Sequence, residues 1–578
     1  MLNKKAYFTG QLMPYQQDVL NKLKKSNAVL VYHGLGSGKT ATSIAATEGQ
    51  PTDVVVPASL RGNYQKEIKK WTSKEHNRDI ISYNKFVKDV PSGHKTLVLD
   101  EPQKIGRTSS QMSQSIVRAA KRYDKRILLT GTPASNNPAE LAPIIRTLTP
   151  EAHIPLNPTE FNKRFIGEKP VRLSPWQYMK GMQPGVEYYP KHTQEIESAI
   201  KGKVSYYNPP KTDYPSRIDI VKKIPASKEQ VGYYNFVTRH ANPILAMKIR
   251  KNLPLSKQES TQLNAFMTGA RQVSNTTIPY GGKEVLSPKL KSVVEDFSES
   301  YKKNPEHKGI IYSNYLAGGL NEISNEFAKR GIPHAKFTGE LNDVQRKAAV
   351  SDYNTGKVKA LLVSSSGSQG LDLKGTRSIQ IMEPHWNKTR VEQVIGRGIR
   401  YKSHTELPPE QRNVTVIKYQ TTLPKTFGQK ITFHKPSTSA DEYLENLSNK
   451  KQETLDRFLD IFKHEGMSKQ SFLKEVAQNA FNDELEKISS ISKKVIGIIK
   501  KNPEASGAII GATIGAFKPT PKGYVRKEEG EDKEDYAERL LFAKENARMR
   551  HWQKFPERVF GNAILGAGIG FGVRQFSK

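Results

Sequence analysis

Apolar residues gather in short unbroken runs along the first 150 residues, at Val29-Leu30-Val31-Tyr32, Val54-Val55-Val56, Thr96-Leu97-Val98-Leu99 and Arg126-Ile127-Leu128-Leu129. Runs without polar alternation mark strands covered on both faces, as in parallel sheets. Each gives way to a polar loop holding Gly or Pro, with helical stretches between, so the pattern predicts a parallel α/β lobe over residues 1–150. A second block of the same kind, 288–437, has strands at Gly309-Ile310-Ile311-Tyr312, Ala360-Leu361-Leu362-Val363 and Ser378-Ile379-Gln380-Ile381. The stretch 151–287 is rich in Pro, Tyr and Lys and reads as a mixed helical insertion or linker. Residues 438–490 are expected to form a helical closing segment. In 491–578 two Gly/Ala/Ile stretches flank a charged run from Lys527 to Arg550, which suggests a separate tail.

With 91 Lys+Arg against 57 Asp+Glu, the 578-residue chain carries a formal charge of +34, which implies a polyanionic partner or a very soluble surface. A hydrophobic share of 36% is enough for real cores and rules out a wholly disordered polycation. Cys is absent, which excludes a disulfide partner, a thiolate zinc site and an iron–sulfur cluster and points to a reducing compartment. Met1 to Tyr7 leads into no apolar core of a signal peptide, so an unsecreted, cytoplasmic or nuclear protein, or one carried in a virion, is expected.

In parallel sheets ligands sit beyond the strands' carboxyl ends. After Val29–Tyr32 comes His33-Gly34-Leu35-Gly36-Ser37-Gly38-Lys39-Thr40 and a helical start, the context of a phosphate loop. Gly34, Gly36, Ser37 and Gly38 would wrap backbone N–H groups around phosphates, Lys39 would reach the β/γ-phosphates of ATP, and Thr40 would hold Mg²⁺. The strict pattern takes Gly where His33 stands. Leu97-Val98-Leu99 ends in Asp100-Glu101, so Asp100 can hold Mg²⁺ and Glu101 can deprotonate the attacking water.

Together these motifs resemble the superfamily 2 ATP-dependent helicases and translocases, Swi2/Snf2-related branch. The resemblance implies an α/β fold of two tandem RecA-like lobes with an inter-lobe insertion and a helical, Gly-rich C-terminal tail. Leu12-Met13-Pro14-Tyr15-Gln16 is similar to the branch's adenine-side motif, with Gln16 as base reader. Val56-Pro57-Ala58-Ser59-Leu60 is similar to its first nucleic-acid motif, and Leu129-Thr130-Gly131-Thr132-Pro133 to motif III, which couples nucleotide to track. Ser364 to Leu373 resembles motif V, where Gly370 and Asp372 would meet the nucleotide. Gln393-Val394-Ile395-Gly396-Arg397-Gly398-Ile399-Arg400 resembles motif VI. If helical, this run puts Gln393, Arg397 and Arg400 on one face, from which the two guanidinium groups could cross a cleft to the γ-phosphate. Motif II departs from the family after its carboxylates, reading Asp100-Glu101-Pro102-Gln103, which puts coupling rather than hydrolysis in question. The segment following Arg400 resembles helicases of large DNA viruses.

The nucleic-acid candidates are Pro57, Ser59, Thr130, Thr132, Asn314, Ser364 and Ser365, whose polar groups suit phosphate contacts without base reading. The resemblance favours duplex DNA, with single strands or RNA as alternatives. In the tail, Gly507, Gly511 and Gly515 recur at helical spacing, a close-packing signature. Its apolar stretches, about 12 to 14 residues, are too short for a membrane span and suit self-association or an interfacial contact. Two rival readings remain: a nucleic-acid-binding virion or structural protein with a vestigial nucleotide site, and a motor tethered to membrane or capsid.

Overall fold

The computed structural model describes residues 8–467 except 35, 74–76, 92, 107–109, 180–181, 210–213, 240–241, 365–372 and 426–435. The tail and the helical segment beyond Met467 therefore lie outside the described residues. Among those described, no helix is long and apolar enough to cross a membrane.

In chain order the strands are β1 (Ala28–His33), β2 (Thr52–Val56), β3 (Arg78–Ser82), β4 (Thr96–Asp100), β5 (Lys125–Thr130), β6 (Ile166–Pro170), β7 (Val186–Pro190), β8 (Val204–Tyr207), β9 (Ser216–Pro225), β10 (Gly309–Ser313), β11 (His334–Phe337), β12 (Ala360–Ser364), β13 (Ser378–Ile381) and β14 (Asn413–Thr422). They build two six-stranded sheets, ordered β3-β2-β4-β5-β1-β8 and β11-β12-β10-β13-β14-β9, and a hairpin of β6 and β7. Every pairing within the two large sheets is parallel. This is the tandem RecA-like α/β architecture. All seven strands foreseen from apolar runs are present, and their central residues are buried on both faces as parallel packing requires.

The stretch 151–287 does not form a module of its own. Its β8 completes the first sheet beside β1, and its β9 completes the second beside β14, so the chain leaves the first lobe after β8 and enters the second at β9. The lobes thus extend past the boundaries drawn at 150 and 287. The remainder makes the β6–β7 hairpin and the helices Lys228–Thr238, Pro243–Arg250 and Lys257–Val273.

The closing helix, Ala440–Gly466, starts with Ser439 accepting from the Glu442 N–H and the Glu442 carboxylate returning to the Ser439 N–H, a reciprocal cap. Near its start, Ala440 and Tyr443 pack with Leu263, Phe266 and Met267 of the helix Lys257–Val273. Near its end, Leu455, Phe458, Leu459 and Phe462 form a stripe at helical spacing inside the first lobe's core, beside Phe161 and Val204. Gly466 lets the last turn press on β8, where a Cβ would come within 2.6 Å of Tyr206 Cβ. At 1.5 Å per residue the helix is about 40 Å long, a strut between the two halves.

Candidate functional site

The phosphate loop begins where fully buried β1 ends. Gly36 and Gly38 have φ of 75° and 72°, backbone positions that L side chains rarely take. Gly38 caps the helix Lys39–Ala46, so unpaired N–H groups at that helix start face the loop. Ser37 Oγ donates to the Gly34 carbonyl at 2.8 Å and braces the turn. Lys39 Nζ folds back on the His33 and Gly34 carbonyls, at 2.9 and 3.1 Å. Burial lowers its pKa, while Glu101 and Asp100 across from it pull the other way. A triphosphate would replace those carbonyls as the ammonium's partner.

β4 delivers Asp100 to the same edge. Burial, and then the charge of Glu101, raise the Asp100 carboxyl to about 7, with Lys39 opposing. Two carboxylates offset chiefly by one lysine suit a divalent cation, so Asp100 and Thr40 fit the Mg²⁺ role. Glu101 stands at φ 58°, an unusual conformation for a side-chain-bearing residue, and its N–H bonds the Leu129 carbonyl at 2.9 Å.

Gln103 joins motif II to motif III. Its Nε2 donates to the Glu101 carboxylate, and its Oε1 accepts from Thr130 Oγ1 at 2.8 Å. Thr130 Oγ1 in turn accepts the Thr132 N–H at 2.9 Å. Sequence reasoning did not place Gln103 in the site, although its position two residues beyond the Glu, where the family keeps a coupling residue, was the available signal.

Gln16 is buried against the loop. Its Oε1 accepts the Met13 N–H at 2.9 Å, and its Nε2 lies 3.4 Å from the Ser37 and Gly38 carbonyls. It therefore braces the loop backbone from the side where a base was expected. Neighbouring Tyr15 donates to the Ser37 carbonyl at 3.1 Å, and its ring stacks on Tyr207 at 3.6 Å between centroids.

Motif VI departs from expectation in one respect. The helix runs over Lys388–Gly398, and Gly398 packs so closely that a Cβ there would stand 3.0 Å from Ile379 Cδ1 and from Thr376 Cγ2. Ile399 is extended, so Gln393 and Arg397 share a helix face but Arg400 lies on the turn beyond it. Ser403 Oγ closes that turn by donating to the Arg400 carbonyl at 2.8 Å. The turn carries Tyr401 onto the phosphate loop: a Cβ at Gly36 would stand 3.3 Å from Tyr401 Cβ and 3.1 Å from the Tyr214 hydroxyl oxygen. Burial raises the Tyr214 pKa and the nearby Arg400 charge opposes it. The turn that follows Arg400 thus packs at the phosphate loop through Tyr401.

The nucleic-acid candidates divide. Thr132 and Asn314 are partly open, and Glu383 holds the Asn314 N–H at 2.9 Å. Pro57, Thr130 and Ser364 are buried, and the Thr130 hydroxyl donates to Gln103. The side chain of Ser59, and Ser365, Gly370 and Asp372 entirely, lie outside the described residues.

Comparison with known proteins adds to this geometry. The SNF2-related domain matches residues 79–277, and the helicase conserved C-terminal domain matches residues 289–402. The phosphate loop lies upstream of both. A protein of Acanthamoeba polyphaga mimivirus, named as an ATP-dependent RNA helicase, is 26% identical over 462 residues, 78% of this chain and 96% of its own. An African swine fever virus protein, named a termination factor NPH-I homolog, is 25% identical over 494 residues, 68% of this chain and 69% of its own. The solved SWI2/SNF2 ATPase core of Sulfolobus solfataricus in complex with double-stranded DNA aligns with 80% of this chain and 99% of its own, at 18% identity and a TM-score of 0.30.

Proposed function

This chain is an SNF2-related ATPase of helicase superfamily 2, and from that premise we propose that it hydrolyses MgATP between its lobes and uses the cycle to move along DNA, duplex in preference, without reading sequence. The observation that carries the reading is the approach of the Arg400–Tyr401 turn to Gly36, which brings the second lobe to the phosphate loop of the first.

In this reading the loop N–H groups and Lys39 bind the triphosphate, and Thr40 and Asp100 hold Mg²⁺, which neutralises charge on the phosphates when bound. Glu101 takes the proton of the attacking water. Arg397 and Arg400 complete the site only when the lobes close, a contribution of roughly 10³ to 10⁵ in rate for arginines of this kind. Gln103 and Thr130 tie the Glu101 carboxylate to the Thr132 loop, the edge where nucleic acid would lie, so substrate and hydrolysis can sense each other. Sequence-independent tracking agrees with a net charge of +34 and with a track built from backbone and hydroxyl groups. RNA is the second reading, favoured by the name of the mimivirus relative.

The experiment is ATP turnover by the full chain alone and with duplex DNA, single-stranded DNA or RNA, beside Lys39→Ala and Glu101→Gln. DNA-stimulated turnover lost in both variants supports the proposal. Turnover indifferent to both substitutions removes it, and stimulation by RNA alone replaces DNA as the track.

A further inference from the structure

His33 stands where the phosphate-loop pattern takes its first glycine, and the imidazole has no part in the chemistry above. The residue is fully buried. Nε2 lies 3.1 Å from Ser205 Oγ, and Ser205 Oγ donates to Asp18 Oδ2 at 2.7 Å. A carboxylate only accepts, so the serine proton is committed to Asp18 and the hydroxyl must accept from the ring. Nε2 therefore carries the hydrogen. Burial, and then the Lys39 charge, lower the imidazole pKa to about 3, which keeps the ring neutral and Nδ1 a bare acceptor. Nδ1 has no hydrogen-bond partner among the described residues, so the ring's one polar link is the chain Nε2–H to Oγ–H to Oδ2, with the Tyr15 and Tyr207 rings packed edge-on against it.

That chain joins three pieces with different duties. Asp18 lies on the helix Pro14–Lys25, which sets Tyr15 and Gln16 against Ser37. His33 opens the phosphate loop, and its carbonyl holds the Lys39 ammonium. Ser205 lies on β8, the last strand of the first lobe before the chain crosses to β9. Further contacts tighten the junction: the Gly34 N–H donates to the Tyr207 carbonyl at 2.8 Å, and a Cβ at Gly34 would meet Pro209 Cδ at 2.7 Å. Phosphate that draws Lys39 off the His33 carbonyl perturbs the residue that is anchored to β8.

We propose that His33 is a positioning residue that makes the phosphate loop and β8 move as one body, so that filling the loop repositions the second lobe, which follows β8 in the chain. This deepens, and rests on, the ATPase reading given above. A glycine at this position would keep the backbone pairing of β1 with β8 and lose the side-chain link to Ser205 and Asp18.

The test uses the full chain. Because it has no Cys, Lys121→Cys and Lys357→Cys, one exposed site in each lobe, can carry a fluorophore pair. His33→Gly and Ser205→Ala are compared with the parent for MgATP affinity, nucleotide-induced change in inter-lobe distance, and DNA-stimulated kcat. Both variants should keep affinity within about threefold, lose the distance change, and lower stimulated kcat about tenfold, the size of an ordinary coupling energy. Ser205→Ala stands in if His33→Gly does not fold. Parent-like closure and turnover in the variants, or affinity and kcat falling together, would overturn the proposal. A parent chain that binds no MgATP brings down the ATPase reading itself, and this one with it.

Discussion

Tyr401 lies so close to Gly36 that a single added methyl on the glycine would stand 3.3 Å from Tyr401 Cβ. The two residues belong to different lobes, one on the turn that ends motif VI and the other at the tip of the phosphate loop. Gly36→Val combines this crowding with a left-handed φ of 75°, which costs a side-chain-bearing residue roughly 1–2 kcal/mol. The variant should keep its thermal unfolding temperature within a few degrees while losing MgATP binding and turnover, as measured by nucleotide titration and steady-state assay.

Gln103→Ala should separate hydrolysis from its stimulus. The substitution frees the Glu101 carboxylate and leaves the Thr130 hydroxyl without its acceptor. Basal ATP turnover is expected to persist, with stimulation by nucleic acid falling by about tenfold, within the usual range of coupling energies. Gln103→Glu, which keeps the length and the acceptor but cannot donate when ionised, should not restore it.

The Asp100 carboxyl, raised to about 7 by burial and by Glu101, holds a proton in the free enzyme below that pH. A cation that binds the ionised form has to displace the proton, so MgATP affinity should be full above pH 7 and fall by up to about tenfold per unit below it. The same raised pKa means that apo stability is lost as pH rises from the ordinary carboxylate range through 7. Titrations in the presence and absence of Mg²⁺ across this range, with Asp100→Asn as the pH-insensitive reference, check both slopes.

One buried and two half-buried imidazoles make the fold acid-sensitive. Burial first, then neighbouring cations, lower His33 to about 3 and His307 and His385 each to about 4. The unfolded chain takes up protons near 6.5 that the native chain refuses, so stability declines as pH falls from there toward 4. Urea midpoints at neutral pH and near pH 5 should differ in that direction.

Phe458 is fully buried in the first lobe's core although it belongs to the helix that begins in the other half. Phe458→Ala should cost about 3–5 kcal/mol of unfolding free energy, measurable by urea denaturation.

The strands that sequence revealed were those with uninterrupted apolar runs, such as β1, β4 and β12, because burial on both faces leaves no polar alternation. β9 escaped notice because Ser216–Pro225 is an exposed edge strand carrying Arg217, Lys222 and Lys223, and its place depends on β14, nearly two hundred residues away. The loop glycines, Lys39 and Asp100-Glu101 were legible since each follows directly from a strand end. Arg400 lies off the helix face because Ile399 is already extended, a helix end that spacing does not reveal. Nothing in Leu129-Thr130-Gly131 tells that the Thr130 hydroxyl is bonded to Gln103.

In the proposed cycle guanidinium groups of the second lobe finish the reaction begun at the phosphate loop. The most direct measurement is nucleic-acid-stimulated kcat for Arg397→Ala and Arg400→Ala, taken beside MgATP affinity by titration. A fall in kcat of about 10³-fold with affinity changed only a few-fold is expected; turnover at the parent rate in both variants would remove the two arginines from the reaction.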